Sequence, residues 1–254
     1  MIDIHCHLLP GIDDGSKDMA TSLQLARDAV ADGITHALMT PHHMSREYTN
    51  HPDDVIALTD QFQAELDAHD IPLHVYPCQE VHITGGLIAA IDAGDTLTCD
   101  EDQHYILLEF PHTDVPTYAE DMFFQVQQRG LIPIIVHPER NEYFMKHPDT
   151  LYDFIQRGAL SQVTASSYVG TFGKGVAQFA SDILTAGLAQ VFASDAHHLP
   201  NRQYEMSAAF KQLTKQFGAD YADLFQENAK AIINGTAVKR LHEQPVKKHL
   251  FAKY

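Results

Sequence analysis

Short apolar runs alternate along the chain with longer segments in which apolar residues recur every three or four positions. A short apolar run bounded by turn residues is typical of a buried strand, and the wider spacing is typical of an amphipathic helix. The apolar runs predict strands at residues 2–6, 34–39, 73–81, 105–109, 131–136, 159–165 and 188–193. The amphipathic segments predict helices from Met19 to Gly33, over 53–69, from a Thr117–Glu120 capping box to Gly130, around 151–155, and over 174–186, 202–217 and 219–234.

Strands that alternate with helices predict βα units and a parallel sheet. The chain has 254 residues, which is enough for one large domain with a substantial core. About seven such units fit a closed or distorted barrel better than an open sheet, although an ordinary TIM barrel has more. We predict a domain over residues 1–235 and a basic C-terminal tail over 236–254.

The charge of the chain argues against nucleic acid as a partner. Its formal net charge is −17, and no Lys or Arg lies between Glu47 and Gln128, so a phosphate backbone would be repelled. No basic leader precedes the first strand, and no apolar run approaches the roughly 18 residues needed to span a bilayer. These features predict a cytoplasmic protein without membrane insertion, and they leave its oligomeric state open.

Imidazoles and carboxylates recur at the carboxyl ends of the predicted strands. His5 and His7 are two residues apart on the first strand, so both rings point the same way, and Asp14 follows closely. Each residue alone has an ordinary structural explanation, such as a hydrogen-bonded core histidine or a capping aspartate. Together they suit divalent metal ions, because barrel enzymes build their sites at this end of the strands. The other candidates are His42, Glu80, Glu109, His137, Asp195 and His197.

The types of these ligands narrow the chemistry. Nitrogen and oxygen ligands without thiolate favour manganese, iron or zinc over calcium, and the three cysteines lack CxxC spacing. The candidates suffice for two or three ions, whose positive charge would attract a compact anion. Arg140 and Arg202 are placed to bind phosphate oxygens, with surface salt bridges as the alternative role. The expected nucleophile is a hydroxide that bridges two metal ions.

The chain resembles the PHP-superfamily tyrosine-protein phosphatases of bacterial capsular and exopolysaccharide systems, the CpsB/YwqE type. The resemblance rests on the motifs MIDIHCHLLPGIDDG, TPHH, QEVH, LEF, VHPER and SDAHH, in this order. It runs from Met1 to about Gly235, and the basic segment that follows has no counterpart among these motifs. It implies an α/β fold, the PHP-type distorted (β/α)7 TIM-like barrel, with a trinuclear site that commonly holds manganese. The implied activity is removal of phosphate from the tyrosine-rich tail of an autophosphorylating bacterial tyrosine kinase.

The resemblance also implies roles for individual residues. Arg140 and Arg202 match the family's phosphate-binding arginines. Asp195 matches a metal ligand, and from the residues alone it is also a candidate proton donor, as are His43 and His198. The matched metal ligands are His5, His7, Asp14, His42, Glu80, Glu109, His137, Asp195 and His197.

Several residues near these ligands have weaker assignments. His43, His82, His112 and His198 are expected either to support the site or to face solvent. Aromatic residues in the loops around the site are candidates for contacts with a phosphotyrosine ring, although core packing is the expected role for most of them. These aromatic residues are Phe110, Tyr143, Phe144, Tyr168 and Phe172.

The residues leave other functions open. A PHP phosphoesterase that acts on a small metabolite, such as a histidinol-phosphate phosphatase, would share the metal ligands. A TatD-type DNase also begins with His-x-His, but the stretch without basic residues counts against it. Amidohydrolases often bridge metals through a carbamylated lysine, and no lysine lies between Lys17 and Lys146. A protein that binds phosphotyrosine without cleaving it is disfavoured by the complete ligand set.

Overall fold

The strands of the protein are short and lie at regular intervals along the chain. A computed structural model describes residues 1–198 and 202–247. The strands are β1 (Ile2–Cys6), β2 (His36–Met39), β3 (His42–His43), β4 (His74–Pro77), β5 (Glu80–His82), β6 (Tyr105–Glu109), β7 (Ile132–Val136), β8 (Leu160–Thr164) and β9 (Val191–Ala193). All strand pairs are parallel, in one sheet of order β1-β2-β4 and another of order β3-β5-β6-β7-β8-β9.

Helices follow most of the strands, as the alternating pattern predicted. A 3-10 turn at Pro138–Arg140 follows β7. No helix in the described part of the chain is long and apolar enough to cross a membrane. The helices are α1 (Met19–Ala31), α2 (Pro52–Ala68), α3 (Leu87–Asp92), α4 (Ala119–Gln128), α5 (Glu142–Lys146), α6 (Pro148–Gln156), α7 (Ala165–Val169), α8 (Lys174–Thr185), α9 (Met206–Phe217) and α10 (Ala219–Ile233).

The closed or distorted barrel is not confirmed, because the described residues pair into two separate sheets. The two sheets separate between β2 and β3 and between β4 and β5. The second break interrupts the predicted strand at 73–81, whereas the predicted strand at 34–39 ends before β3, which was not predicted. Pro41 lies at the first break and has no N–H to donate to a ladder. The register is the same on both sides of the breaks, since Met39 is opposite Pro77 and His42 is opposite Glu80.

The longer predicted helices are confirmed, with ends that differ by a few residues. The capping box at Thr117 and Glu120 is wrong, because α4 begins at Ala119 and its N-cap Tyr118 makes no side-chain hydrogen bond. Thr117 lies one residue before the cap. The unpredicted helices α3, α5 and α7 have six, five and five residues, which is too short for a periodic pattern to identify.

Apolar side chains cover both faces of the strands. Ile4, Leu38, Leu107, Ile134 and Val191 belong to one buried cluster, and a larger cluster joins the strands to the surrounding helices. Parallel strands that are buried on both faces have nearly continuous apolar sequences, which is why the runs were easy to identify. The polar side chains are therefore concentrated at the strand ends.

The first part of the basic C-terminal segment packs on the domain. The Tyr105 hydroxyl donates a 2.6 Å hydrogen bond to the Thr236 carbonyl. Farther along, the Val246 side chain is only 5% exposed. Residues 236–247 thus lie against the rest of the protein, whereas residues 248–254 lie outside the described part of the chain.

Candidate metal centre

The structure brings all the predicted metal ligands together at the carboxyl ends of the strands. β1 and the loop after it carry the first three ligands, β3 carries His42, β5 begins with Glu80 and β6 ends with Glu109. His137 follows β7 directly, and Asp195 and His197 lie in the loop after β9. Three overlapping groups have ligand atoms within 4.8 Å of one another. These groups are His7, Asp14, His42 and His197; His5, His7 and Glu80; and His42, Glu80 and Glu109.

The most buried group joins His5 of β1 and His7, the residue directly after Cys6 at the end of β1, to a carboxylate. The Nε2 atoms of His5 and His7 are 3.1 Å apart. The Oε2 atom of Glu80 lies 3.2 Å from the first nitrogen and 3.3 Å from the second. Because side chains alternate along an extended chain, His5 and His7, which are two residues apart at the end of β1, direct their imidazoles to the same side. Their nitrogens therefore converge on the glutamate from β5.

Hydrogen bonds at the far side of each ring determine which nitrogen faces this group. The His5 Nδ1 atom donates to Gln162 Oε1 at 3.0 Å, and the His7 Nδ1 atom donates to Asp13 Oδ2 at 2.7 Å. With the protons on Nδ1, both neutral rings turn an Nε2 lone pair toward Glu80. Two lone pairs and a carboxylate oxygen that face one point are stabilised by a cation.

Glu80 connects this group to the rest of the cluster. Its Oε2 atom is 2.9 Å from His42 Nδ1, and its Oε1 atom accepts a hydrogen bond from His137 Nε2 at 2.8 Å. Glu109 Oε2 is 3.5 Å from the same His42 nitrogen and accepts a 2.9 Å hydrogen bond from His82 Nδ1. The sequence predicted that His82 either supports the site or faces solvent. Its hydrogen bond to Glu109 shows that it orients this carboxylate.

Asp14 lies at the open edge of the cluster. Its Oδ1 atom is 3.4 Å from the Nε2 atoms of both His42 and His197, and its side chain is 42% exposed. The loop that carries it depends on Gly15, where a Cβ would lie 2.2 Å from the His7 carbonyl oxygen. Only glycine allows this close approach, so the GIDDG motif is explained by the geometry of the loop.

Charge interactions in the cluster favour bound cations. Burial lowers the pKa of His42, but Glu80 and Asp14 outweigh that effect and raise it to about 12. Burial and then the Arg140 charge lower the pKa of His137 to about 4. Burial raises the pKa of Glu80, yet His5 and His42 hold it well below its usual range. The carboxylates therefore stay ionised. Their negative charge is balanced by a divalent ion as well as by a protonated histidine.

Unpaired polar atoms support the same conclusion. Glu80 Oε2 and His42 Nδ1 are buried and have no hydrogen-bond partner among the described residues, although they lie 2.9 Å apart. A buried polar atom without a partner is costly unless another group binds it. A mixed imidazole and carboxylate environment fits manganese, iron or zinc.

Asp195 lies between the ligand cluster and the two predicted arginines. Its carboxylate accepts hydrogen bonds from Nη2 of Arg140 and, at 2.8 Å, from Nη2 of Arg202. Its Oδ1 atom is also 3.6 Å from His5 Nε2 and 3.5 Å from His7 Nε2. Burial raises the pKa of Asp195, but the two guanidinium groups hold it well below its usual range.

Two of the site residues adopt a strained backbone conformation. His137 has φ 36° and Asp195 has φ 48°, in the left-handed region that non-glycine residues seldom adopt. His137 follows β7 directly and Asp195 lies two residues after the end of β9, so the chain turns sharply there and directs each side chain toward the cluster. Such strain costs on the order of 1–3 kcal/mol for each residue and is concentrated at functional sites.

Sequence reasoning missed the residues that orient the ligands. Asp13 is adjacent to the predicted ligand Asp14, and Gln162 is one of three polar residues in β8, where no spacing distinguishes it from Ser161 and Thr164. Asp3 is buried and accepts a 2.5 Å hydrogen bond from Ser194 Oγ, which ties β1 to the loop that carries Asp195. The available signal for Asp3 was its spacing, since it is two residues before His5.

We expect the Asp13→Asn substitution to weaken manganese binding by about 10- to 100-fold, the usual effect of losing a partner that orients a metal ligand. In the wild-type protein the Asp13 carboxylate accepts the His7 Nδ1 proton at 2.7 Å. A neutral amide is a weaker acceptor and orients the ring less firmly. Isothermal titration of the metal-free protein with Mn²⁺ measures the change. The matched control is Asp28→Asn, on the exposed face of α1. Unchanged affinity in Asp13→Asn would show that Asp13 has no such role.

Comparison with known proteins places the chain in a family. A family model described as capsular polysaccharide synthesis, CpsB/CapC, matches residues 1–234. The chain belongs to the CpsB/CapC family. This result confirms the resemblance that the six motifs indicated.

Two curated relatives of this CpsB/CapC protein are similar over nearly their whole length. It is 41% identical to the tyrosine-protein phosphatase YwqE of Bacillus subtilis over 248 residues, covering 98% of this chain and 97% of YwqE. It is 32% identical to the putative tyrosine-protein phosphatase CapC of Staphylococcus aureus, covering 94% of each chain. An alignment of 248 residues extends well past Gly235, so most of the C-terminal segment has a counterpart in YwqE.

Solved structures agree with the assignment to the CpsB/CapC family. A crystal structure of YwqE superimposes with a TM-score of 0.94 and covers 98% of this chain and 100% of that one. YwqE and CpsB of Streptococcus pneumoniae are described there as unique metal-dependent tyrosine phosphatases. The phosphotriesterase homology protein of Escherichia coli shares only the fold, with a TM-score of 0.57 and 13% identity over 90% of this chain and 97% of that one.

Proposed function

We propose that this protein is a metal-dependent protein-tyrosine phosphatase that hydrolyses the phosphate monoester of phosphotyrosine. The observation that carries the proposal is the convergence of buried imidazoles and carboxylates next to two arginines that share Asp195. This arrangement provides sites for cations and for a phosphate group within one cluster. The names of YwqE and CapC support phosphotyrosine over a small metabolite as the substrate.

The ligand groups suit two to three divalent ions, with manganese as the first choice and iron or zinc as alternatives. Bound divalent ions supply Lewis acidity toward phosphoryl oxygens and lower the pKa of water. Glu80 belongs to two of the three groups, and its two carboxylate oxygens would allow it to serve two ions. His7 and His42 also belong to two groups each, but a neutral imidazole has a single lone pair and would bind one ion. The proposed ligands are His5, His7, Asp14, His42, Glu80, Glu109, His137, Asp195 and His197.

The arginines bind and orient the phosphate group. Arg140 and Arg202 contact Asp195 through Nη2, and their buried Nε atoms have no hydrogen-bond partner among the described residues. These donors remain for phosphoryl oxygens, which guanidinium groups bind in a planar, paired geometry. Asp195 holds both guanidinium groups in place, and it lies close enough to the cluster to act as a ligand as well.

Hydrolysis then requires only water and the phosphate ester. The water oxygen forms a bond to phosphorus while the bond from phosphorus to the phenolic oxygen breaks, and the phenolate takes up a proton. The three cysteines all lie among the described residues and are buried, so they are not placed to attack the phosphate ester. The Cys6 thiol donates to the Leu38 carbonyl at 3.3 Å, away from the histidines on either side of it in the sequence.

The proposal extends to the architecture and the setting of the protein. We propose that the two sheets are parts of one distorted (β/α)7 barrel over residues 1–235. Asp195 N donates to His5 O at 2.8 Å, and His7 N donates to Ala196 O at 3.0 Å, so backbone hydrogen bonds join the end of β1 to the segment just after β9. The proposed substrate is the phosphorylated tail of a bacterial tyrosine kinase in capsule or exopolysaccharide synthesis, and the proposed location is the cytoplasm.

A phosphatase assay with a phosphotyrosine peptide and with histidinol phosphate tests the proposal. We expect phosphate release from the peptide to stop when EDTA removes the metal and to return when excess Mn²⁺ is added. Histidinol phosphate should be a much poorer substrate by kcat/KM. Full activity after metal removal would contradict the metal mechanism, and preference for histidinol phosphate would contradict the proposed substrate.

A further inference from the structure

Phe172 has a position that core packing does not explain. The sequence offered five aromatic residues as candidates for contacts with a phosphotyrosine ring. Three of them are at most 4% exposed and belong to the hydrophobic core, namely Phe110, Phe144 and Tyr168. Phe172 is only partly buried, and its ring stacks on the Arg140 guanidinium, with 5.2 Å from Cζ to the ring centroid. It is thus an apolar ring held against a proposed phosphate-binding group.

The loop between α7 and α8 is built to present this ring. Gly170 has φ 106° and Gly173 has φ 94°, conformations that favour glycine on both sides of Phe172. The Gly173 amide donates to the Gly170 carbonyl at 3.0 Å, which closes a tight turn. Thr171 Oγ1 also donates to Glu205 Oε2 at 2.6 Å. These contacts give the turn, and the ring on it, a defined position.

We infer that Phe172 determines specificity for aryl phosphates by contacting the ring of the bound phosphotyrosine. The inference rests on the proposed function. A phosphoryl group on Arg140 lies beside Phe172, because the phenylalanine ring covers one face of the same guanidinium. In phosphotyrosine the aromatic ring begins at the ester oxygen, only one atom from phosphorus. The ring therefore reaches the surroundings of Arg140 together with the phosphate.

An alkyl phosphate gains less from this arrangement. Phosphoserine and small aliphatic esters carry a flexible methylene where phosphotyrosine carries a planar ring. Aromatic pairs in offset or edge-to-face contact are more favourable than their buried area alone predicts. Phe172 should thus strengthen binding of the aryl ester while leaving binding of free phosphate nearly unchanged.

The Phe172→Leu substitution tests this inference because leucine keeps an apolar side chain but removes the ring. We expect KM for a phosphotyrosine peptide to rise by about 3- to 10-fold, the range that aromatic pairing energies imply. The inhibition constant of inorganic phosphate, which has no ring, should stay within about twofold of wild type. Phe172→Tyr, which keeps the ring, should restore the peptide KM. Phe124→Leu is the matched control, because Phe124 is 61% exposed on α4 and lies outside the site.

The possible outcomes separate this inference from its alternatives. An equal rise in KM and in the phosphate inhibition constant would mean that Phe172 acts only by positioning Arg140, and it would overturn the inference. An unchanged KM would overturn it too. If the wild-type protein with Mn²⁺ does not hydrolyse the peptide at all, the proposed function fails and the inference fails with it.

Discussion

Replacing Glu80 by glutamine is expected to lower kcat for a phosphotyrosine peptide by about 10³-fold. Its Oε2 atom lies within 3.3 Å of ring nitrogens of His5, His7 and His42, so one carboxylate serves two of the ligand groups. Metal ions supply several kcal/mol of transition-state stabilisation, and each 1.36 kcal/mol corresponds to a tenfold change in rate. The neutral amide also removes the negative charge that would stabilise a cation beside these histidines.

Two measurements check the Glu80 prediction. Steady-state kinetics should show the loss of kcat, and elemental analysis after dialysis should show fewer metal ions per chain than in wild type. Glu101→Gln is the control, because it makes the same change at an exposed position away from the ligand cluster. A Glu80→Gln protein that keeps both its metal ions and more than a tenth of its activity would contradict the proposed centre.

Arg140→Ala should lower kcat/KM for the same peptide by about 10²- to 10³-fold, the usual effect of losing one preorganised donor to transition-state charge. Arg140 is 12% exposed and hydrogen-bonds Asp195, but it is not in any of the ligand groups. We therefore expect the Arg140→Ala protein to bind as much metal as wild type does. Metal content thus distinguishes the defect of Arg140→Ala from that of Glu80→Gln.

Substitution by lysine refines the Arg140 prediction. Arg140→Lys keeps the charge but not the planar pair of donors, so it should recover only part of the lost kcat/KM. Arg157→Ala is the control, since this exposed arginine pairs with Glu120 on the surface and should leave activity unchanged. Loss of bound metal in Arg140→Ala would show that the arginine stabilises the metal centre rather than the phosphate.

Strand positions were predictable because parallel strands bury both faces. Such strands tend to have nearly continuous apolar sequences, as IPIIV does in β7. The interruption of the predicted strand at 73–81 had one local signal, because Pro77 ends β4 and has no N–H to donate to a ladder. The point at which pairing resumes in β5 depends on which backbone groups a neighbouring strand offers, and that is a property of the assembled sheets.

The chemical character of the site was predictable for a related reason. Imidazoles and carboxylates directly after apolar strands are costly to bury without a shared function, and parallel strands carry their ends to the same side of the molecule. The spacing of His5 and His7 determines that they point the same way, whatever the rest of the fold does. The short helices α5 and α7 lacked such a signal, because their few residues depend on contacts with other elements.

The sequence by itself determined the alternation of strands and helices and the set of residues available to bind metal and phosphate, since both follow from local periodicity and side-chain chemistry. Only the tertiary structure decided which nitrogen of each histidine faces Glu80, because that depends on partners such as Gln162, which lies 157 residues from His5 in the chain. It also decided that Phe172 stacks on Arg140 while Phe144 is buried in the core. Contacts between distant segments form only when the chain folds, so no local pattern specifies them.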